Sequence, residues 1–201
     1  MIKYSLSIAI LLISIASYAA EKIRGEIIFP DRTINVTFLI PTGIFGGEPN
    51  TEVLQKGVKY LLPNGKKKKL KPDQAKEFRF NFEGREFRMV SRIYSSTFTA
   101  KSLFLLQIIE GPVKMFEHRV TTRTTGGPNG MGGYTNTTIT QLLQRGDEPL
   151  NEPNLFGFKK EMAKFFGDCP ELVALIEEKE FKRRDIGEIV MFYNQRCGRV
   201  N

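Results

Sequence analysis

Phe78-Arg79-Phe80-Asn81-Phe82 is the stretch that decides the fold. Side chains alternate between the two faces of a β-strand, so the three phenylalanines share one face and the two polar residues share the other. The same period of two, broken at short intervals by Gly, Pro and Asn, extends from Lys22 to about Leu143. It predicts an antiparallel β-meander that forms a curved sheet or a partly open barrel.

Turn-forming residues divide this region into individual strands and one helical turn. Val53–Leu62 has the pattern of extended chain, and the Asn-Gly pair in Pro63-Asn64-Gly65 suits a hairpin turn with positive φ. Residues 72–77 begin with Pro and are compatible with one helical turn. Leu103–Ile109 is apolar on both faces, which places it centrally in the sheet.

A polar, proline-containing segment, residues 146–154, separates this region from a helical one. Beyond it the apolar residues recur with a helical period and predict three short helices of about three turns each. We therefore expect an α+β protein in which residues 20–148 form a β-rich body and residues 149–201 a C-terminal helical cap, packed as one domain. The three predicted helices are Leu155–Phe166, Pro170–Phe181 and Asp185–Cys197.

The two cysteines of the chain lie at opposite ends of a predicted helix pair. Cys169 begins the second helix and Cys197 ends the third, so antiparallel packing of these helices brings the sulfurs together. We predict a disulfide, which for a loop of about 28 residues stabilises the fold by roughly 3–4 kcal/mol in the chain-entropy treatment. Asp168 is a candidate cap of the second helix, and Asp185 is the predicted cap of the third.

The N-terminus has the order of a secretory signal. Lys3 precedes an apolar run from Leu6 to Ile15, and small residues follow, which predicts a signal peptide over residues 1–19 with cleavage after Ala19. The run is shorter than the ~20 residues that span a bilayer. We expect an exported protein that is periplasmic, on the cell surface or secreted, in a compartment where thiols oxidise.

Composition limits the class of protein and of partner. The chain has 201 residues, 41% of them hydrophobic and 26% charged, which excludes disordered, collagenous and multi-span membrane proteins. Cleavage would leave 29 basic and 22 acidic side chains, an excess of +7. An exported protein rarely meets nucleic acid, so anionic polysaccharide, lipid headgroup or acidic protein are the better-motivated partners. The densest cationic run, and the candidate anion-binding site, is Lys66, Lys67, Lys68 and Lys69.

The sequence offers little for catalysis. His118 is the single histidine, and we expect it on a strand with its ring partly solvated. The glycine-rich segment over residues 124–133 lacks the Gly-Lys-Ser/Thr or helix start of a phosphate-binding loop and predicts a mobile connection. We assign no catalytic residue, metal site or cofactor. A glycosidase-like carboxylate pair could be sought among Glu77, Glu83, Glu86, Glu110 and Glu117, but the sequence does not select two of them.

Several short segments carry a resemblance to a known family. They are 58–65, 70–73 and 78–80 in the β-rich part, with 165–172, which includes Asp-Cys-Pro, and 189–194, which ends in Tyr-Asn. Together they resemble an exported protein family of Bacteroidota with no assigned activity. The resemblance implies a periplasmic or surface location and a β-rich body with a C-terminal helical cap.

These observations favour an exported, non-enzymatic protein that acts as a binding or envelope-associated module. Two alternatives stay open at this point. One is a hydrolase that uses carboxylates on envelope glycan or lipid. The other is a lipocalin-like carrier that encloses an apolar ligand. A packed interior would favour the binding module, and two carboxyl groups facing each other across a cleft would favour the hydrolase. An apolar cavity would favour the carrier.

Overall fold

The computed structural model describes residues 20–42, 47–95, 99–124, 133–153 and 156–198. The predicted signal peptide, residues 1–19, and most of the glycine-rich segment lie outside the described residues. The described part is an α+β structure in which an antiparallel sheet of nine strands precedes a group of C-terminal helices. This is the predicted fold class, and the sheet is open rather than closed into a barrel.

Strands and helices follow one another with short connections. Single 3-10 turns occur at Pro72–Gln74 and Arg183–Asp185. The strands are β1 Ala20–Ile28, β2 Thr33–Pro41, β3 Val58–Leu61, β4 Lys67–Leu70, β5 Glu77–Phe82, β6 Arg85–Ser95, β7 Ala100–Ile109, β8 Val113–Thr124 and β9 Tyr134–Arg145. The helices are α1 Thr51–Leu54, α2 Phe158–Phe165, α3 Pro170–Glu177 and α4 Ile186–Arg196.

The strand order departs from a single sequential meander at one point. Along the sheet it is β4-β3-β2-β1-β5-β6-β7-β8-β9, with every pair antiparallel. Strand β5 pairs with β1 rather than with β4, so the chain runs outward to the β4 edge and returns through the turn at Pro72–Gln74. Strands β4 and β9 are consequently the two edges of the sheet.

One face of the sheet carries the main core. Phe78, Phe80 and Phe82 lie on this phenylalanine face, as the alternation predicts, and pack with Phe38 and Phe104. The opposite face, which carries Arg79 and Arg88 as a cross-strand pair, is called the arginine face below. Because large aromatic rings each remove about 150–250 Å² from water, the phenylalanine cluster is the dominant stabilising contact of the sheet.

Strand β7 is buried on both of its faces between Leu103 and Leu106, as its unbroken apolar sequence predicts. Phe104 and Leu106 join the phenylalanine cluster, whereas Leu103 and Leu105 belong to a smaller cluster on the arginine face. The strand is interior to the sheet, with β6 on one side and β8 on the other.

The C-terminal helices cover one end of the sheet. Their buried side chains, among them Met162, Leu172 and Ile189, pack on Val113 and Leu143 from the ends of β8 and β9. The predicted disulfide is present between Cys169 and Cys197, whose Cα atoms are 5.7 Å apart. It joins the residue before α3 to the residue after α4, so two of the three predicted helices are covalently linked.

Three local predictions need correction. Val53–Leu62 does not begin as extended chain, because the Asn50 side chain accepts a hydrogen bond from the Val53 N–H at 3.1 Å and starts the short helix α1. Asp168 does not cap α3, because its carboxylate is held by Arg145. Asp185 precedes α4, but its carboxylate accepts from the Lys182 N–H at 2.8 Å and closes the preceding 3-10 turn instead.

The Arg145 side chain fixes the helical cap to the sheet. It donates to both carboxylate oxygens of Asp168, at 2.7 and 3.0 Å, and to the Phe165 carbonyl at 2.6 Å. Its guanidinium also lies 4.7 Å from the ring centroid of Tyr193, whose hydroxyl donates to Asp168 at 2.5 Å. One residue at the end of β9 therefore contacts groups from α2, α4 and the segment that precedes α3.

Candidate anion-binding face

The predicted cationic run forms the edge of the sheet. Lys67–Leu70 is strand β4, and Lys66 lies in the turn before it, where Gly65 has φ 77 as the hairpin prediction requires. Lys68 lies opposite Tyr60, on the phenylalanine side, whereas Lys67 and Lys69 lie on the arginine face. The four lysines therefore do not share one face of the sheet. Lysine at an exposed edge also disfavours pairing with the edge of another sheet.

Pairing registers place two of these lysines in rows with cations from other strands. Lys69 lies opposite Lys59, Lys59 opposite Leu39, and Leu39 opposite Lys22, in one row across β4, β3, β2 and β1. With about 4.8 Å between strands, the row spans about 14 Å. Three of its four side chains are ammonium groups, and all three are exposed.

A second row runs parallel to the first, two residues further along each strand. In it Lys67 lies opposite Leu61, Leu61 opposite Thr37, and Thr37 opposite Arg24. Strands repeat on one face every second residue, so the rows are about 7 Å apart. We call the five cations of the two rows the basic patch. They are Lys22, Arg24, Lys59, Lys67 and Lys69.

The basic patch is not neutralised by neighbouring acids. Among the described residues, none of its five cations has a carboxylate within ion-pair distance. Glu26, the next residue of β1 on this face, lies opposite Arg79 of β5. An open groove of about 920 Å³ borders the second row, but its apolar lining, which includes Ile34, Val36 and Leu62, belongs to the phenylalanine face and not to the patch. The patch itself is reachable because its five cations are exposed, and within the described residues they have no ion-pair partner.

His118 differs from its prediction, because its ring is buried rather than partly solvated. It is 6% exposed, and its ring centroid lies 4.4 Å from that of Tyr94. Burial, and then the charge of Lys101, lower the pKa of His118, so the imidazole is neutral at pH 7. The Tyr94 hydroxyl donates to Glu152 at 3.3 Å, and burial raises the pKa of this tyrosine.

The candidate carboxylates are mostly engaged in ion pairs. Glu77 is buried and accepts from both Arg79 and Arg88. Glu110 pairs with Arg88, and Glu117 pairs with Arg119 at 3.0 Å. Each of these three carboxylates therefore has an arginine partner that holds its position. The two remaining candidates, Glu83 and Glu86, are exposed.

Two of the basic patch residues were not singled out from the sequence. Lys22 and Arg24 are far from the lysine run along the chain, and only the pairing of β1 with β2 and β2 with β3 brings them to it. The available signal was the alternation within β1, which turns Lys22, Arg24 and Glu26 to the same face. That alternation does not reveal which strands are neighbours.

The described residues were also searched for a metal site and for a membrane-spanning helix. Within them, no group of three His, Cys, Asp or Glu side chains is arranged to hold a metal ion. None of the helices in these ranges combines the length and apolarity needed to cross a bilayer. Comparison of the chain with protein-family models, with curated proteins and with solved structures finds no match.

Proposed function

We propose that this protein is an exported, non-enzymatic binding module whose basic patch holds an anionic polysaccharide. The observation that carries the proposal is the first cross-strand row, in which Lys22, Lys59 and Lys69 are exposed and have no carboxylate partner within the part of the chain that the structure describes. Export rests on the N-terminal sequence pattern, and the disulfide supports it because such bonds persist in oxidising compartments. The kinship with exported Bacteroidota proteins stays a sequence-based expectation.

The geometry favours a polymer of repeated negative charges over a point ligand. The five cations come from β1, β3 and β4, in rows that cross four strands, so a single small anion reaches only one or two of them. A chain with an acidic group on successive sugars meets several at once, and each contact adds to the affinity.

A polysaccharide is also favoured over a membrane surface. Proteins that enter the headgroup region usually bury protruding apolar side chains there. The patch offers Leu39 and Leu61, which are partly buried between the cations. The large apolar side chains that are exposed among the described residues, such as Ile93 and Phe156, are not part of the patch. Attraction without insertion fits a hydrated anionic polymer.

The test measures binding of the purified protein to polygalacturonate over a range of salt concentrations. Replacement of Lys22, Lys59 and Lys69 by Gln should weaken binding by about tenfold, since exposed ionic contacts contribute about 0.2–1 kcal/mol each. Affinity of the unaltered protein should fall steeply between ~0.05 and ~0.2 M salt, because screening removes contacts between exposed charges. The matched control replaces Lys101, Lys160 and Lys164, which removes the same total charge from other exposed positions.

Comparison of the two triple variants distinguishes binding by the basic patch from a general effect of net charge. Equal weakening in both triple variants would show that net charge, not the patch, drives binding. Binding that does not respond to salt would contradict an electrostatic site. Tighter binding to phosphatidylglycerol vesicles than to the polymer would assign the patch to a lipid surface instead.

A further inference from the structure

A second cationic feature lies on the arginine face at the other half of the sheet. It is a cavity of about 430 Å³ between β5, β6, β7 and β8, closed on one side by the turn that precedes β5. Val90 contributes to its lining together with Arg88, Arg92, Gln107 and Lys114. None of these residues belongs to the basic patch, so the cavity is a separate site.

Arg92 is held inside this cavity by neutral groups. Its Nε donates to the Gln144 side-chain oxygen at 2.7 Å, and its Nη1 donates to the Ser91 carbonyl at 2.8 Å. The guanidinium lies over the Phe116 ring, 5.1 Å from the centroid. Among the described residues, no carboxylate lies within ion-pair distance of Arg92.

Arg88, in contrast to Arg92, forms ion pairs with the carboxylates beside the cavity. Arg88 pairs with both Glu77 and Glu110, and Glu77 also pairs with Arg79. These two carboxylates are therefore compensated by guanidinium groups other than that of Arg92. The acid that remains in the lining is Asp73, which is exposed at the turn before β5.

Partial burial of a cation that has no carboxylate in contact is costly. Loss of water is the largest influence on Arg92 and lowers its pKa, whereas the more distant charges of Glu77 and Asp147 oppose this effect. A guanidinium cannot lose its proton near neutral pH, so it stays charged in this cavity. An anion that enters would replace the lost hydration with charge-assisted hydrogen bonds, which are stronger than those to neutral acceptors.

We propose that this cavity binds a small anionic ligand with a carboxylate or phosphate group, held between Arg92 and Lys114. Lys114 supplies the second positive charge from β8, and its neighbour across the β8–β9 pair is the same Gln144 that orients Arg92. The Gln107 side chain in the lining offers a polar group to the rest of the ligand. A volume of about 430 Å³ suits a molecule of the size of a sugar acid or sugar phosphate.

The test is a titration of the ¹⁵N-labelled protein with inorganic phosphate and, separately, with glucuronate, followed by NMR. The Arg92 Nε–H and the Gln144 side-chain amide are the reporters. Saturable shifts at both reporters support the site, and the probe that saturates at lower concentration identifies phosphate or carboxylate as the preferred group. Shifts that grow linearly without saturation for both probes would overturn the proposal.

Two variants test the assignment of residues. Lys114→Gln, at a partly exposed position, should weaken binding of the better probe by about tenfold, since a hydrogen bond to a charged group is lost. Replacement of Lys22, Lys59 and Lys69 by Gln should leave the titration unchanged. Full affinity in Lys114→Gln, or loss in the triple variant, would overturn the proposal. The polysaccharide experiment can fail independently, because it depends on the basic patch alone.

Discussion

The side chain of Gln55 substitutes for a strand at the point where β7 and β8 separate. The two strands are paired from Ile109 back to Leu106, which lies opposite Glu117, and the residues of β7 that precede Leu106 have no partner in β8. Beyond that point the backbone carbonyl of Gln55 accepts from the Phe104 N–H at 3.0 Å. The Gln55 amide donates to the Arg119 carbonyl at 2.9 Å and accepts from the Arg119 N–H at 2.7 Å. One residue after α1 thus satisfies backbone groups of both strands.

Replacement of Gln55 therefore has a calculable cost. Gln55 is 3% exposed, so in Gln55→Ala the Arg119 N–H and C=O lose their partners where water has little access. A buried group left unsatisfied costs about 1–3 kcal/mol, which gives about 2–6 kcal/mol for the pair. For a chain of this size, such a loss lowers the melting temperature by about 5–25 °C.

The substitution Gln55→Glu should make the stability of the protein depend on pH. The introduced carboxylate can still accept from the Arg119 N–H, but it cannot donate to the Arg119 carbonyl. Its protonated form can do both. Burial and the carbonyl oxygen should raise the folded-state pKa of the introduced carboxyl above its unfolded value of about 4.3. Stability of the variant should then be closest to that of the unaltered protein below that value and should fall as pH rises through the folded-state pKa.

Urea denaturation over a pH series measures this difference directly. The free energy of unfolding of Gln55→Glu, subtracted from that of the unaltered protein, should be small in acid and should reach a plateau of about 1–3 kcal/mol at neutral pH, since one buried group is then left unsatisfied. Gln55→Ala should show a deficit that does not change with pH. A deficit in Gln55→Glu that is equally independent of pH would refute the role of the donated hydrogen bond.

Three further predictions concern the C-terminal helices. Reduction of the Cys169–Cys197 bond should lower the free energy of unfolding by roughly 3–4 kcal/mol in urea titrations; two alkylatable thiols in the untreated native protein would contradict the bond. The arginine hydrogen bonds lower the pKa of Asp168, so their stabilisation exists above the unfolded value of about 3.9 and disappears as pH falls through the folded-state pKa. The stability advantage of the unaltered protein over Asp168→Asn should accordingly shrink in acid, and a constant advantage would argue against the ion pair. Asn194 exchanges hydrogen bonds of 2.9 and 2.8 Å with the first residue of β8, so Asn194→Ala should cost about 2–4 kcal/mol, whereas the exposed neighbour Gln195→Ala should stay within about 0.5 kcal/mol. Similar effects of these last two changes would show that the amide does not hold the strand.

The elements with a strong local signal were predictable from the sequence. Alternation in Phe78–Phe82 defined which side of β5 is buried, and Asn64-Gly65 marked the β3–β4 turn. The change to a helical period gave the C-terminal helices, and the positions of Cys169 and Cys197 within them gave the disulfide. Each of these signals depends on neighbours within a few residues, since side-chain direction and turn geometry are set by local backbone conformation.

Contacts between distant segments were decided only by the tertiary structure. The alternation in β1 puts Lys22 on the same face as Arg24 and Glu26, but only the pairing of β1 with β2, β2 with β3 and β3 with β4 places it in a row with Lys59 and Lys69. Likewise, the sequence around Gln55 does not predict its hydrogen bonds with Arg119, since a polar residue after a short helix has the same local pattern whether or not it contacts a distant strand. The physical reason is that strand alternation specifies a face and not a neighbour, whereas pairing depends on how the whole apolar surface is buried.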